Sequence, residues 1–349
     1  MFISVKRIFR ALSAHQDNTV NHNQKTTARI SGIGGFVPDT ILDNAQLEQM
    51  VDTSDLWITS RTGIKQRRIV GNDDFATSDL AAKAIANLFE NTSILPDQVE
   101  CVILATATPD EMLAPTAAVV CQKSGLEKAW GFDLGAACSG FLYALSVGAS
   151  LIESGRHTHV IVVGADKMSS IVNYEDRNTC ILFGDGAGAV LLSANYDGFG
   201  VQQSIFGSDG DGAQYLSVPA GGSKMPASQE TVASKQHFVQ QDGKTVFKQA
   251  VRKMGESCIE LLNLAKIGNE QVDWVIPHQA NLRIIKAVGE QIGIDPDKFK
   301  INIERYGNTT AATIPLALWD FKDDFKAGDN VVLTAFGAGF TWGSTYVKW

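Results

Sequence analysis

At 349 residues the chain can hold two domains or one large α/β unit with a sizeable core, and 32 glycines with 44% apolar and 19% charged residues exclude a disordered or coiled-coil protein. A net charge of −8 and a pI near 5.3 argue against a general nucleic-acid binder, which needs a basic surface for phosphates, but leave room for a local basic patch. Five widely spaced cysteines without a CxxC pair fit free thiols in a reducing cytoplasm; the six histidines make no metal-ligand set with them, and no apolar run approaches the roughly 20 residues of a membrane span.

In chain order, residues 1–27 read as a loose basic arm: Phe2, Ile3, Ile8, Phe9 and Leu12 alternate with Lys6, Arg7 and Arg10, and a polar stretch follows. The segment has no uninterrupted apolar region of the secretory kind, and disorder is the expectation. From Arg29, ISGIGGFVP predicts a strand and a glycine-rich turn, NAQLEQMV a helix, and SDLWITSRTGIKQRRI a polar excursion carrying Trp57. Ser78 to Leu95 predicts an amphipathic helix capped by Ser78 or Asp79, with Leu80, Ala84, Ile85 and Leu88 on its apolar face. Glu100 to Thr106 reads as a buried strand.

The stretch GFDLGAACSGFLYAL, Gly131 to Leu145, predicts a strand end, a turn of small residues and a buried helix. It puts Cys138 at a helix N-terminus, where the macrodipole and free N–H groups stabilise a thiolate, and Ala136, Ala137, Ser139 and Gly140 leave the sulfur uncrowded. A lone cysteine there also reads as a small core residue. A strand at Val160 to Val163 and the glycine-rich Phe183 to Val190 follow; Gly184-Asp185-Gly186-Ala187-Gly188 is too weak a pattern to argue for a dinucleotide.

The chain then repeats itself. DQVECVI from Asp97 matches EQVDWVI from Glu270 at a shift of 173 residues, and the same shift relates Gly155 to Gly328 and Cys138 to Ala311. Two similar α/β halves are expected, 28–205 and 206–349, with mostly parallel sheets covered by helices on both faces. Such a duplication brings equivalent loops together at the carboxyl ends of strands, where α/β sheets place ligands. The second half offers His278, closing the strand DWVIP, and Asn308 in RYGNTTAATIP. Each alone reads as readily as a structural residue; with Cys138 they form a Cys-His-Asn set.

DLGAACSGF around Cys138, PHQANLRI around His278, RYGNTTAATIP around Asn308 and the carboxy-terminal AFGAGFTWGSTYVKW resemble the signatures of β-ketoacyl-(acyl carrier protein) synthase III, over about Ile30 to Trp349. The resemblance implies a thiolase-like α/β fold of duplicated halves in five αβαβα layers, and an acyltransferase that joins an acyl-CoA starter to malonyl-acyl carrier protein, initiating fatty acid synthesis. It implies that Cys138 takes the acyl group, that His278 and Asn308 assist decarboxylation of malonyl, and that the backbone N–H groups of Cys138 and Ala338 form an oxyanion hole. This agrees with the chemistry: a thioester needs a soft nucleophile, and an enolate oxygen needs donors such as imidazole and amide. Asn308 as third member favours the initiating type over thiolases, elongating ketosynthases and hydroxymethylglutaryl-CoA synthases.

By the same resemblance Trp57, Arg61 and Arg177 match positions holding the adenine and phosphates of CoA. Lys248, Arg252, Arg283 and Lys286 make a basic patch suited to an acidic carrier protein, or a solvated helix face. Met112, Leu113 and Ala114 fill the segment that lines the acyl pocket across a homodimer; Ala338 stands where glycine is frequent; the arm has no family counterpart. No cofactor, metal, nucleic acid or membrane is expected, and the location is cytoplasmic. The alternatives are a ketosynthase of specialised polyketide, pigment or signal biosynthesis and a non-catalytic partner protein of the same fold.

Overall fold

The computed structural model describes residues 26–71 and 74–349, so the expected arm falls outside it up to residue 25. First come β1 (Thr27–Phe36), α1 (Asp55–Thr62), α2 (Thr77–Glu90), β2 (Cys101–Ala105), α3 (Thr116–Lys123), β3 (Trp130–Leu134), α4 (Gly140–Glu153), β4 (His159–Asp166) and β5 (Gly186–Asn195). Then follow β6 (Gly200–Ser208), α5 (Gly243–Ala265), β7 (Trp274–Pro277), α6 (Leu282–Ile292), α7 (Thr313–Asp320), β8 (Asn330–Gly337) and β9 (Thr341–Lys348).

One sheet has the order β1-β5-β4-β2-β3 and the other β7-β8-β9-β6. They repeat one plan: β2 lies parallel to β4 as β7 does to β8, and β5 runs antiparallel to β1 and β4 as β9 does to β6 and β8. The counterpart of β3 is reduced to a parallel bridge between Val275 and Phe299. The sheets are therefore mixed rather than mostly parallel. An antiparallel strand covered on both faces is as continuously apolar as a parallel one, so the sequence pattern does not reveal direction.

Alternate residues of the buried strands face different layers. Val160 and Val162 of β4 join Phe141 and Leu145 of α4, Ile314 and Leu318 of α7 and Leu333 of β8 in a core between the sheets. Ile161 and Val163 face Leu80, Ala84 and Leu88 of α2 and Val120 of α3 on the outside. Val332 of β8 meets Met254 and Cys258 of α5 and Ile285 and Val288 of α6. The result is five layers: α2 and α3, sheet, α4 and α7, sheet, α5 and α6. Helix α4 is apolar nearly all round because a sheet covers it on each side.

Local corrections have local causes. Helix α2 starts at Thr77, where the Asp79 carboxylate accepts the Ala76 N–H at 2.9 Å, and it stops at Glu90, where Asn91 leaves helical geometry with its N–H donating to Leu88 O at 3.1 Å; Pro96 then begins a separate 3₁₀ turn. The polar excursion around Trp57 contains a helix, α1, whose start is capped by the Ser54 hydroxyl accepting the Trp57 N–H at 3.2 Å.

Candidate active site

The end of β3 and the start of α4 are joined by Gly135, Ala136 and a 3₁₀ turn, Ala137–Ser139, which carries Cys138. Ala137 enters it with φ 46°, a left-handed conformation that is uncommon for a residue with a side chain. The turn is stapled to the β8–β9 hairpin: the Ser139 hydroxyl donates to Thr341 O at 3.1 Å, and the Thr341 hydroxyl donates to Ala136 O at 2.9 Å and Ala338 O at 3.0 Å. Gly337, ending β8, lies so close that a Cβ on it would sit 2.7 Å from Cys138 N.

The pseudo-equivalent turn, Thr310–Ala312, opens on Thr310 with φ 54°, at the same shift of 173 residues from Ala137. It passes against β4 at Gly164, where a Cβ would fall 2.2 Å from Ala311 O. Asn308 precedes it. The Asn308 N–H donates to Leu182 O at 2.9 Å and its carbonyl accepts the Gly184 N–H at 3.1 Å, so the glycine-rich Phe183 segment fixes the backbone. The Asn308 Oδ1 accepts the Thr310 N–H at 2.9 Å, which turns the amide so that Nδ2 is the end left for a ligand.

His278 follows β7, with its N–H donating to Thr334 O of β8 at 2.8 Å. Its Nδ1 is 2.6 Å from the Thr313 hydroxyl, which also donates to Thr310 O at 3.1 Å. When that hydroxyl points at Thr310, Nδ1 carries the proton and Nε2 is a base; when it turns to Nδ1, Nε2 is a donor. Burial pulls the imidazole down to about 3, so it is neutral at physiological pH.

Cys138, His278 and Asn308 line one cavity of about 460 Å³, together with Trp57, Arg61 and Arg283. The thiol differs from the sequence expectation. Burial first, and the Asp166 carboxylate second, push Cys138 up to about 12, so the resting group is a thiol despite the helix behind it. A 3₁₀ turn separates Cys138 from α4, and desolvation outweighs what the helix terminus offers.

Arg61 and Arg177 both lie over the Trp57 ring, at 4.7 and 4.6 Å from its centre, and Arg177 also reaches Asp52 at 3.6 Å. Arg283 lies over the Phe247 ring at 5.6 Å, while Lys248, Arg252 and Lys286 are exposed on α5 and α6 outside the cavity wall. Met112 and Leu113, 80% and 94% exposed, and exposed Ala114 are not on the wall either. Sequence reasoning missed Thr313, and the α5 stripe of Val246, Ala250 and Met254 that walls the cavity. The stripe's four-residue spacing was readable; the Thr313 role depends on the fold. Among the described residues no group of three or more His, Cys, Asp and Glu is placed for a metal ion, and no helix is long and apolar enough to cross a membrane.

Residues 132–210 match the family model for 3-oxoacyl-[acyl-carrier-protein] synthase III, and residues 262–349 match the model for its C-terminal part. The β-ketoacyl-[acyl-carrier-protein] synthase III of Phocaeicola vulgatus is 50% identical over 93% of this chain and 98% of its own. The crystal structure of 3-oxoacyl-[acyl-carrier-protein] synthase III from Aquifex aeolicus superposes with a TM-score of 0.85 at 39% identity, covering 92% of this chain and all of that one. The priming β-ketosynthase of the R1128 polyketide pathway superposes with a TM-score of 0.85 at 30% identity, over 93% of this chain and 96% of its own. With these matches along nearly its whole length, on a five-layer fold that gathers a cysteine, a histidine and an asparagine at one cavity, the chain belongs to the β-ketoacyl-[acyl-carrier-protein] synthase III family.

Proposed function

We propose that the chain starts fatty acid synthesis by taking an acyl group from acyl-CoA onto Cys138 and joining it to malonyl-acyl carrier protein, giving 3-oxoacyl-acyl carrier protein, CO2 and free CoA. The observation that carries this is the meeting of Cys138, His278 and Asn308 on a cavity that extends to Trp57 and Arg61. In the first half-reaction His278 Nε2 accepts the Cys138 proton as the sulfur attacks the thioester carbon. Because a buried imidazolium is disfavoured, proton transfer accompanies attack rather than preceding it. The oxyanion takes the N–H groups of Cys138 and Ala338, and CoA leaves with the proton.

In the second half-reaction malonyl loses CO2 and the electron pair moves into an enolate. Its oxygen takes Asn308 Nδ2–H and, with the Thr313 hydroxyl turned to Nδ1, His278 Nε2–H. The enolate carbon attacks the acyl group, and the Cys138 thiolate leaves and takes from solvent the one proton that decarboxylative condensation consumes. One histidine serves as base and then as donor by giving its Nδ1 proton to solvent and taking one on Nε2, while the Thr313 hydroxyl turns to the freed Nδ1 lone pair.

Trp57, Arg61 and Arg177 hold the adenine and phosphates of CoA, the guanidiniums giving up the indole face to the base. Lys248, Arg252, Arg283 and Lys286 receive the carrier protein. The exposed Met112, Leu113 and Ala114 belong to a homodimer, where each protomer closes its partner's acyl pocket. The nucleophile-bearing half spans residues 28–205 and the His/Asn half residues 206–349, with β6 (Gly200–Ser208) of the second sheet running across that boundary. The enzyme works in the cytoplasm and needs no cofactor. The 30% identity to a polyketide-priming ketosynthase supports a second reading, the same two steps serving a specialised pathway. The test is acyl transfer to Cys138 followed by condensation, read separately; absence of an acyl adduct from every donor would overturn both readings.

A further inference from the structure

Asp166, at the end of β4, is a fully buried carboxylate that the two half-reactions do not use. Its Oδ1 accepts the Thr106 hydroxyl at 3.0 Å, the Ala107 N–H at 2.7 Å, and the Thr108 N–H and hydroxyl at 3.1 and 2.9 Å. Its Oδ2 accepts the Ala311 N–H, across the seam between the halves, at 3.0 Å. All these partners are neutral, so the charge rests on donors alone, an arrangement that is costly unless each donor is in place. The next residue, Lys167, sends its ammonium to Phe75 O instead. Cys138 is the titratable group that feels the carboxylate.

The pseudo-two-fold gives this contact a meaning. Ala311 is the counterpart of Cys138; each turn rests on an equivalent strand glycine, Gly164 under Ala311 and Gly337 under Cys138, and two residues on, at the shift of 173, Asp166 corresponds to Gly339. On one side a carboxylate takes the turn's N–H; on the other a glycine leaves it uncovered. The turn that Asp166 holds runs from Asn308, whose Oδ1 accepts Thr310 N–H, to Thr313, whose hydroxyl meets His278 Nδ1. Asn308 precedes this turn and His278 Nδ1 meets its end, and besides the Asn308 backbone bonds to Leu182 and Gly184 the turn is held to the first half by one carboxylate oxygen.

We propose that Asp166 is a positioning residue for condensation: it locks the Asn308–Thr313 turn of the second half in register with the Cys138 turn of the first. This rests on the proposed function above. The carboxylate form is favoured at neutral pH, because burial lifts its pKa only to about 6 against the pull of the donors. Asp166→Asn removes the charge and the acceptor for either Ala311 N–H or the Thr106–Thr108 group.

The test measures three quantities on the full-length wild type, Asp166→Asn and the near-isosteric Thr106→Val: acyl-Cys138 formed from acyl-CoA, CO2 released from malonyl-acyl carrier protein, and the pH midpoint of Cys138 alkylation by iodoacetamide. In Asp166→Asn, CO2 release falls about 10- to 100-fold, the loss of one hydrogen bond to a charged acceptor, while acylation, which uses His278 but not Asn308, falls less. The alkylation midpoint falls because a nearby negative charge is gone. Thr106→Val, which removes one donor to Oδ1, weakens condensation in the same sense and decides the matter if Asp166→Asn does not fold. Equal losses in both half-reactions, or an unmoved midpoint with unchanged condensation, would overturn the proposal. A wild type that forms no acyl-Cys138 would instead overturn the proposed function, and the alkylation midpoint would still test Asp166.

Discussion

Gly337→Ala probes the oxyanion site with a single methyl group. The added Cβ would stand 2.7 Å from Cys138 N, 3.1 Å from Cys138 Cβ and 3.1 Å from Ser139 N. None of these atoms can rotate away, so either the turn moves or the hairpin does, and overpacking of this kind costs about 1–3 kcal/mol in stability. The larger effect falls on catalysis. A methyl against Cys138 N covers the N–H that the tetrahedral oxyanion needs, and losing one such donor slows a reaction by about 10² to 10³. Rapid-quench mass spectrometry of acyl-Cys138 should show that drop, while CO2 release from malonyl-acyl carrier protein changes less because Asn308 and His278 are untouched. Thermal unfolding confirms that the variant is folded. Acylation at the wild-type rate in a folded Gly337→Ala protein would refute the assignment of the Cys138 N–H.

The thiol gives a pH signature: with Cys138 pushed up to about 12 by burial, alkylation by iodoacetamide should keep accelerating from about pH 7 to about pH 10, whereas a plateau near neutrality would mean that the helix terminus holds a thiolate. Arg283→Glu should weaken use of malonyl-acyl carrier protein and spare acylation from acyl-CoA. The effect should shrink as salt shortens the Debye length from about 10 Å to about 3 Å; equal loss with both donors would mean that Arg283, on the cavity wall, serves acyl-CoA as much as the carrier protein.

Two helix-covered α/β halves and the meeting of Cys138, His278 and Asn308 were legible from two sequence regularities, the buried strands and the shift of 173 residues that superposes Cys138 on Ala311, while the five-layer stacking was legible only through the family resemblance. The paired left-handed residues Ala137 and Thr310 express the same repeat in the backbone. Strand direction was not legible: β5 is about as apolar as its parallel neighbours, and β9, TWGSTYVK, buries Ser344 and Thr345 with no alternation that marks it as antiparallel. Nor was the state of the thiol. Helix position is written locally around Cys138, but burial and the Asp166 charge arrive from residues remote in sequence. Thr313 was missed for a similar reason: a threonine in a helix start shows its part only when the fold brings β7 beside it.

The most direct test separates the two half-reactions in the wild type, Cys138→Ala and Asn308→Ala, using radiolabelled acyl-CoA and CO2 release from malonyl-acyl carrier protein. The account predicts acyl-Cys138 and 3-oxoacyl product in the wild type. It predicts no acyl adduct but residual CO2 release in Cys138→Ala, where both enolate donors remain. In Asn308→Ala it predicts near-normal acylation with condensation reduced by about 10² to 10³, since the enolate oxygen loses the Nδ2 donor that the Thr310 N–H orients. Condensation at the wild-type rate in Asn308→Ala, or an acyl group carried on a residue other than Cys138, would contradict it.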